Sequence, residues 1–467
     1  MKKTFLLSCL MLAAMPVMAA YTGHVYVDKN KNGVFDQSEK PLAGIKVSDG
    51  LNVVETAADG SFTLPGHERE RFIFITTPSG YKTFNRHYHK IEKKQSGYDF
   101  GLIPYSGRIR KDGSHRYIHI TDTEIFNTEN HADWVNNVRD YARNEQAAFI
   151  IHTGDICYEK GLKAHIKLMN TENMDCPVFY CIGNHDLVKG KYGEELFESI
   201  YGPVYYSFDA GNVHYVVTPM SGGDHAPGYT SDDVCRWLKN DLAHIRPGTP
   251  VVVFNHDLLT YEDTFIFKSK NAGSINLNEY NLKAWVYGHW HINYMKKQGD
   301  VYSVCTSSLD KGGIDHSTTA FRVMHVDSKG DFTSELRYTY LDKNICIASP
   351  AGVMASGVLP VAVNVYSSVS PVREVLYTCL ADGKPVLKNK RLLQSTDWSW
   401  NGELPLSHKY VGKELTLRVT ARFNNGEIAE AESNFICRTE KTVPLFSADW
   451  DNLSGNAKHS APVSAPL

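Results

Sequence analysis

Five short polar signatures punctuate the middle of the chain, each closing an apolar run, and that rhythm constrains the fold more than any other feature. They are Asp122-Thr123-Glu124, Gly154-Asp155-Ile156-Cys157-Tyr158, Gly183-Asn184-His185-Asp186, Asn255-His256-Asp257 and Gly288-His289-Trp290-His291. The runs before them (Tyr117 to Thr121, Ala147 to His152, Pro177 to Ile182, Val251 to Phe254, Ala284 to Tyr287) are short and rich in β-branched and aromatic residues, as buried strands are. After the first signature, Trp134, Val135, Val138, Tyr141 and Ala142 fall on one helical face. Val204 to Phe208 and Val213 to Val217 read as a hairpin. Ser231-Asp232-Asp233 reads as the cap of a helix running to Ile245, which Pro247-Gly248 ends. Strands alternating with amphipathic helices predict an α/β (α+β layered) core, with β-sandwich sheets flanked by helices.

A strand's C-terminal end is where α/β sheets place ligands, because backbone pairing stops there while the side chains stay anchored. Carboxylates, an asparagine carbonyl and imidazoles suit hard to borderline metals such as Zn, Mn or Fe. Two ions sharing one carboxylate can clamp a phosphate and lower the pKa of a water between them. A lone Gly-Asp or Asn-His-Asp is more often a turn than a site. Five such elements in order, each on a strand end, point to a site. His119, His152 and His214 fall within strands and are read as structural.

The ordered set resembles the calcineurin-like metallophosphoesterase superfamily over about Arg108 to Tyr340. The wider layout, including Gly202 to Phe208 and Gly211 to Tyr215, is similar to a bacterial secreted group with N- and C-terminal β accessory domains. By that resemblance Asp155 bridges two metals, Asp122 and His291 hold one ion, and Asn184, His256 and His289 hold the other. His185 would serve the leaving group, oriented by Asp186. The implied cofactors are two divalent or mixed-valence transition metals (Mn, Fe or Zn). Glu124 departs from the family, whose first motif usually ends in a histidine or comparable ligand. A carboxylate there still suits a hard metal, favouring Mn or Fe over Zn. Gly154-Asp155-x-x-Tyr158 is similar to the purple acid phosphatase pattern in which a tyrosine binds ferric iron, so Tyr158 is a further candidate ligand, with simple packing as the other reading.

The implied activity is that of an exported, metal-dependent phosphoesterase. It would hydrolyse a phosphate mono- or diester through a dinuclear-metal-activated hydroxide. A reading from another class is a surface binding or scaffold protein with a degraded, catalytically inactive phosphoesterase core, of which Glu124 would be the first sign.

Strand-like, turn-rich text on both sides of the core predicts an all-β sandwich domain on each side, over 20–105 and 346–440, with the core at 106–345 and an extended tail at 441–467. In the first of these, Asp28, Asn30, Asn32, Val34, Asp36 and Glu39 match positions one, three, five, seven, nine and twelve of a calcium loop, with Gly33 at the turn. The flanks read as strand, so the expectation is an EF-hand-like loop holding a structural Ca2+. It resembles the calcium loops of B-type repeats in bacterial surface proteins. A solvated turn rich in Asn and Asp is the competing reading. His316, on a loop after the last signature, and His459, in the tail, are candidate substrate-side residues.

Lys2 and Lys3, the apolar stretch Phe5 to Ala14 and the small residues near Ala19 form the three-part pattern of a signal peptide over 1–19. Export to the periplasm, the cell surface or beyond is expected. No later segment reaches the roughly 18 apolar residues of a transmembrane span. Eight cysteines beyond the leader follow no compact framework and are read mostly as buried thiols, with Cys379–Cys437 the one bridge considered. A formal charge of −3 carries no nucleic-acid-binding signature. The partner is therefore a phosphate-ester substrate held by local chemistry, and the flanking β domains suggest one that is polymeric or surface-bound. Oligomeric state is not legible.

Overall fold

A computed structural model describes residues 20–439 except 96, 315–318, 341–342, 368 and 396–398. The segment 1–19 read as a leader, the tail, His316 and His459 lie outside the described residues. The chain divides into two compact units, one up to Tyr340 and one from Leu341.

Two sheets make the centre of the first unit. Sheet one has the order β3-β2-β1-β10-β11, formed by β1 (His115–Ile120), β2 (Phe149–His152), β3 (Val178–Tyr180), β10 (Ala320–Val326) and β11 (Phe332–Tyr338). Sheet two has the order β4-β5-β6-β7-β9-β8, from β4 (Tyr206–Ala210), β5 (Val213–Val217), β6 (Val251–Phe254), β7 (Leu282–Tyr287), β8 (Tyr294–Gln298) and β9 (Val301–Cys305). β1, β2 and β3 run parallel, as do β5, β6, β7 and β9.

Alternation along the strands places the core. Tyr117, Phe149 and Phe179 of sheet one join Tyr215, Phe254 and Trp285 of sheet two in one apolar layer. The opposite face of sheet one, with Ile118, Ile120 and Ile150, packs against Trp134, Val138 and Tyr141 of the helix Ala132–Asn144 and Leu162 of the helix Tyr158–Leu168. The five residues read as that first helix's apolar face are its buried ones. The helix Ser231–Leu242 starts one residue earlier than expected: Thr230 is its cap, exchanging bonds with Asp233 in a capping box. It also stops short of Ile245.

The first 85 described positions build two small sheets around Val25, Val47, Phe62, Ile73 and Phe100. The second unit is a two-sheet sandwich around Val363, Tyr377, Trp400, Leu417, Val419 and Phe435. Cys379 and Cys437 are both buried free thiols there, which corrects the considered bridge. Their strands flank a third, Glu414–Phe423, in the same sheet, so backbone lies between them. Among the described residues no helix is long and apolar enough to cross a membrane.

A buried polar chain ties the N-terminal sheets to sheet two. Thr76 meets the Ser207 hydroxyl at 2.8 Å, Ser207 donates to Asp241 at 2.8 Å, and His214 lies between Asp241 (2.8 Å) and Asp209 (2.7 Å). Burial works against a charged His214, but the two carboxylates override it and raise its pKa to about 9. A folded-state value above the unfolded one gives stability that is complete below roughly pH 6.5 and is lost as pH rises through the folded value. Thermal melts should therefore show Tm falling from neutral pH through about 9, and His214→Gln should flatten that part of the profile.

Candidate metal centre

Every motif strand delivers its signature at its C-terminal end. Asp122 and Glu124 follow β1, Asp155 follows β2, Asn184 follows β3, His256 follows β6, and His289 and His291 follow β7. The ligand candidates thus come from both sheets and meet where the parallel strands stop. Close backbone approach makes this possible. A Cβ on Gly154, whose φ is +101°, would crowd His256 Nδ1 and the Gly183 backbone, and one on Gly288 would run into Thr121 Oγ1 and Asp122 Oδ2.

The backbone here is strained. Asp122, Glu124, Asp155, Cys157, Tyr158, His289 and His291 all have left-handed φ, between 42° and 77°. They are half of the non-glycine residues with positive φ among the described residues, and each costs of order 1 kcal/mol or more, a strain typical of functional sites.

Asp155 sits at the middle. With His256 and His289 it forms one group whose ligand atoms lie within 4.8 Å of one another, and with Glu124 and Cys157 it forms a second. Its Oδ2 is 3.2 Å from His256 Nε2, while its Oδ1 accepts the His185 backbone N–H at 2.9 Å. His256 is fully buried. Its Nδ1 donates to the Thr153 carbonyl at 2.7 Å, which turns Nε2 towards Asp155 and towards Asn184 Oδ1 at 3.1 Å. Burial would depress the His256 pKa, yet Asp155 and Asp122 raise it. Asp122 Oδ2 accepts from Thr121 (2.6 Å) and the His289 backbone N–H (3.0 Å). Its Oδ1 is buried, accepts no hydrogen bond of good geometry, and faces His291 Nε2 at 3.2 Å and His256 Nε2 at 3.9 Å. His291 Nε2 also lies 3.5 Å from Glu124.

The residues therefore fit a metal pair. An orphaned carboxylate oxygen faces two imidazoles, and Asp155 is shared by two ligand groups; apart from the protonated Cys157 thiol in the second, the donors are oxygen and nitrogen, suited to Mn, Fe or Zn. Glu124 takes its place beside His291 and is also ion-paired with Lys311. Tyr158 is half exposed, and its ring packs against Phe126 and His185 at 6.2 and 5.4 Å.

One assignment is corrected. The carboxylate on the His185 ring is Asp224, with Oδ2 2.8 Å from Nδ1, and not Asp186. Asp186 is fully buried and accepts the Gly183 and Cys157 backbone N–H groups at 2.9 and 2.8 Å, bracing two motif loops. Burial, and then Asp155, raises its pKa to about 7. Burial opposes a charged His185 as well, but Asp224, Asp155 and Glu124 outweigh it, so its pKa is raised. Asp224 follows Gly222-Gly223, outside any signature. Lys311 went unread for the same reason, and Cys157, although inside the second signature, was read only as a buried thiol. The Cys157 thiol is pushed up by burial and stays protonated.

His119 and His152 are buried inside strands, as expected, yet they underpin the loops. His119 bridges the hydroxyls of Thr153 and Thr306, and His152 bonds the Thr123 hydroxyl and the Gly154 N–H. In the N-terminal domain, the Asp28–Glu39 loop closes on itself. Asp28 accepts from Asn32 and Gly33 N–H, Glu39 from Lys29 and Asp36 N–H, and Asp36 from both the Asn30 and Asn32 amides. A cavity of about 650 Å3 lies elsewhere, between Tyr81 to Tyr88 of the N-terminal domain and the opening residues of β2 and β3, at the end of sheet one away from the metal centre.

Two family models match this chain. One, described as calcineurin-like phosphoesterase, covers residues 115–293 and so spans all five signatures. The other, described as the N terminal of calcineurin-like phosphoesterase, covers 29–104, and together they take in more than half of the chain. The chain belongs to the calcineurin-like phosphoesterase family. Within the curated proteins, purple acid phosphatase 13 of Arabidopsis thaliana is 26% identical over 215 residues, which are 43% of this chain and 36% of that protein. The match thus spans about a third of the relative's length. Among solved structures, purple acid phosphatase PPD1 of yellow lupin is 12% identical, covering 87% of this chain and 73% of that one at a TM-score of 0.30. A structurally characterised archaeal phosphodiesterase is 13% identical, covering 47% of this chain and 99% of its own at a TM-score of 0.25.

A calcineurin-like phosphoesterase whose Asp122 is wedged against Gly288 should not tolerate a side chain there. Gly288→Ala should cost about 1–3 kcal/mol in denaturant unfolding through overpacking. It should also lower bound transition metal, by elemental analysis, to half of the unsubstituted protein's content or less.

Proposed function

We propose that the protein is an exported hydrolase of phosphate esters that works with a pair of transition-metal ions, Mn, Fe or Zn. The observation that carries this reading is the convergence of Asp122, Asp155, Asn184, His256, His289 and His291 from two sheets, with Asp155 common to two ligand groups. In the proposed arrangement Asp122, His291 and Glu124 serve one ion, Asn184, His256 and His289 the other, and Asp155 both. Such a pair, when bound, supplies Lewis acidity to phosphoryl oxygens and lowers the pKa of water.

This chain's own side chains supply the rest. Asp224 keeps the exposed His185 ring oriented and favours its protonated form, so Nε2 can donate to the departing ester oxygen. Thr153 holds the His256 tautomer, and Asp186 holds the Gly183 and Cys157 loops in register. The leader-like start supports export. In the N-terminal domain, the loop from Asp28 to Glu39 carries the ligand order of a structural calcium site.

The test is turnover of chromogenic phosphate monoester and diester substrates by protein reconstituted with Mn, Fe, Zn or Co. Asn184→Ala should lower kcat/KM by about 100-fold or more, as loss of a metal ligand does, and should reduce metal content. If the unsubstituted protein neither turns over these esters nor binds two metal equivalents, the reading falls and the scaffold alternative takes its place. For calcium, saturating Ca2+ should raise Tm, a gain of about 2.7 kcal/mol at 100 times Kd. Asp28→Ala should abolish the shift, and an unchanged Tm in the parent protein would remove calcium from the account.

A further inference from the structure

Exposed aromatic rings are not scattered over the first unit. Among the described residues of this unit five such rings are exposed, and four of them, Phe126, Tyr158, Tyr261 and Tyr294, stand on segments that leave the motif strands. Exposed apolar surface concentrated beside a polar site marks contact with a ligand more than chance does.

The rings form two groups, one on each sheet's side of the metal centre. Phe126 and Tyr158 follow β1 and β2 of sheet one and stack at 6.2 Å with 15° between planes. Tyr158 in turn lies 5.4 Å from the His185 ring. Tyr261 follows β6 of sheet two and stacks on Trp290 at 5.8 Å and 26°. Trp290 sits in the chain between His289 and His291. It is fixed by its Nε1 bond to Asp257 Oδ1 (3.1 Å) and by the edge of Tyr287 at 5.2 Å, while Tyr261 itself is 74% exposed. Each group thus joins a ring anchored beside ligand residues to a ring free to meet a substrate.

We propose that these groups are platforms for the two ester arms of a phosphodiester that carries a ring-bearing group on each side of phosphorus. The inference rests on the phosphoesterase reading and deepens it. The leaving group lies on the Phe126–Tyr158 side, beside His185, and the retained group lies on the Tyr261–Trp290 side. A monoester has one organic arm and leaves the second platform idle. Its dianion also calls for more positive charge, and Lys311, the cation beside Glu124, is already paired. Phe126 and Tyr261 act as positioning residues; neither side chain makes a hydrogen bond among the described residues, and their exposure lets each be truncated without opening a core.

The experiment uses the full, metal-reconstituted chain and three probes: para-nitrophenyl phosphate, methyl para-nitrophenyl phosphate and bis(para-nitrophenyl) phosphate. Loss of one stacked ring should raise KM by about fivefold, the equivalent of an aromatic pair. Tyr261→Ala should do so for the bis-aryl diester alone, leaving kcat and the methyl diester unchanged. Phe126→Ala should raise KM for both diesters alike, because both have the same leaving ring. Equal effects of Tyr261→Ala on the two diesters, or no effect on either, would overturn the platform assignment while the phosphoesterase reading stands. No turnover of any probe by the unsubstituted protein would overturn that reading and this inference with it.

Discussion

Three carboxylates, Asp122, Asp155 and Asp186, are buried together at the strand ends, and the groups that touch them are imidazoles, a hydroxyl and backbone N–H groups. Ionised carboxylates are expensive to bury unless opposite charge or dense hydrogen bonding meets them. Much of the surrounding architecture answers that demand. Backbone N–H groups turn inward because the loops adopt left-handed conformations, and glycines let two sheets' loops approach within contact. Asp186 is satisfied by backbone alone. Asp122 Oδ1 and Asp155 Oδ2 are left facing imidazole Nε2 atoms, the arrangement a metal cation completes.

Much of this was legible in the sequence, for a physical reason. Strands buried on both faces read as continuous apolar runs, and the polar residue that ends such a run is conspicuous. Hence the five signatures, the hairpin and the apolar face of the first helix could all be read before any contact was known. The same logic explains the failures. Asp224 and Lys311 reach the site from loops whose local text is ordinary, and only tertiary packing brings them to His185 and Glu124. Asp186 was misread because adjacency in sequence suggests a partnership with His185. In the observed turn its carboxylate points away, into the backbone of Gly183 and Cys157. In the second unit, strands such as Ile428–Arg438 alternate glutamates with small residues, so they carry a weaker signal than the central strands.

The histidines show how one residue type divides its labour by surroundings. His119 and His152, walled in by strands, are held neutral by burial and serve as hydrogen-bonded props beneath the loops. His214, equally buried, is held charged by two carboxylates and ties the N-terminal sheets to the core. His185, at the surface with Asp224, is free to exchange a proton.

Because the ligands hang from two different sheets, the distance between the halves of the centre is set by what fills the layer between those sheets. Phe179 and Phe208 stack across that layer at 3.7 Å and Tyr117 meets Phe254 edge-on at 5.7 Å, so aromatic thickness sets how far apart the two sheets hold their ligand residues. Interiors this dense transmit strain instead of absorbing it. Swapping one apolar ring for another, far from any ligand residue, would therefore shift the ligand residues of one sheet against those of the other.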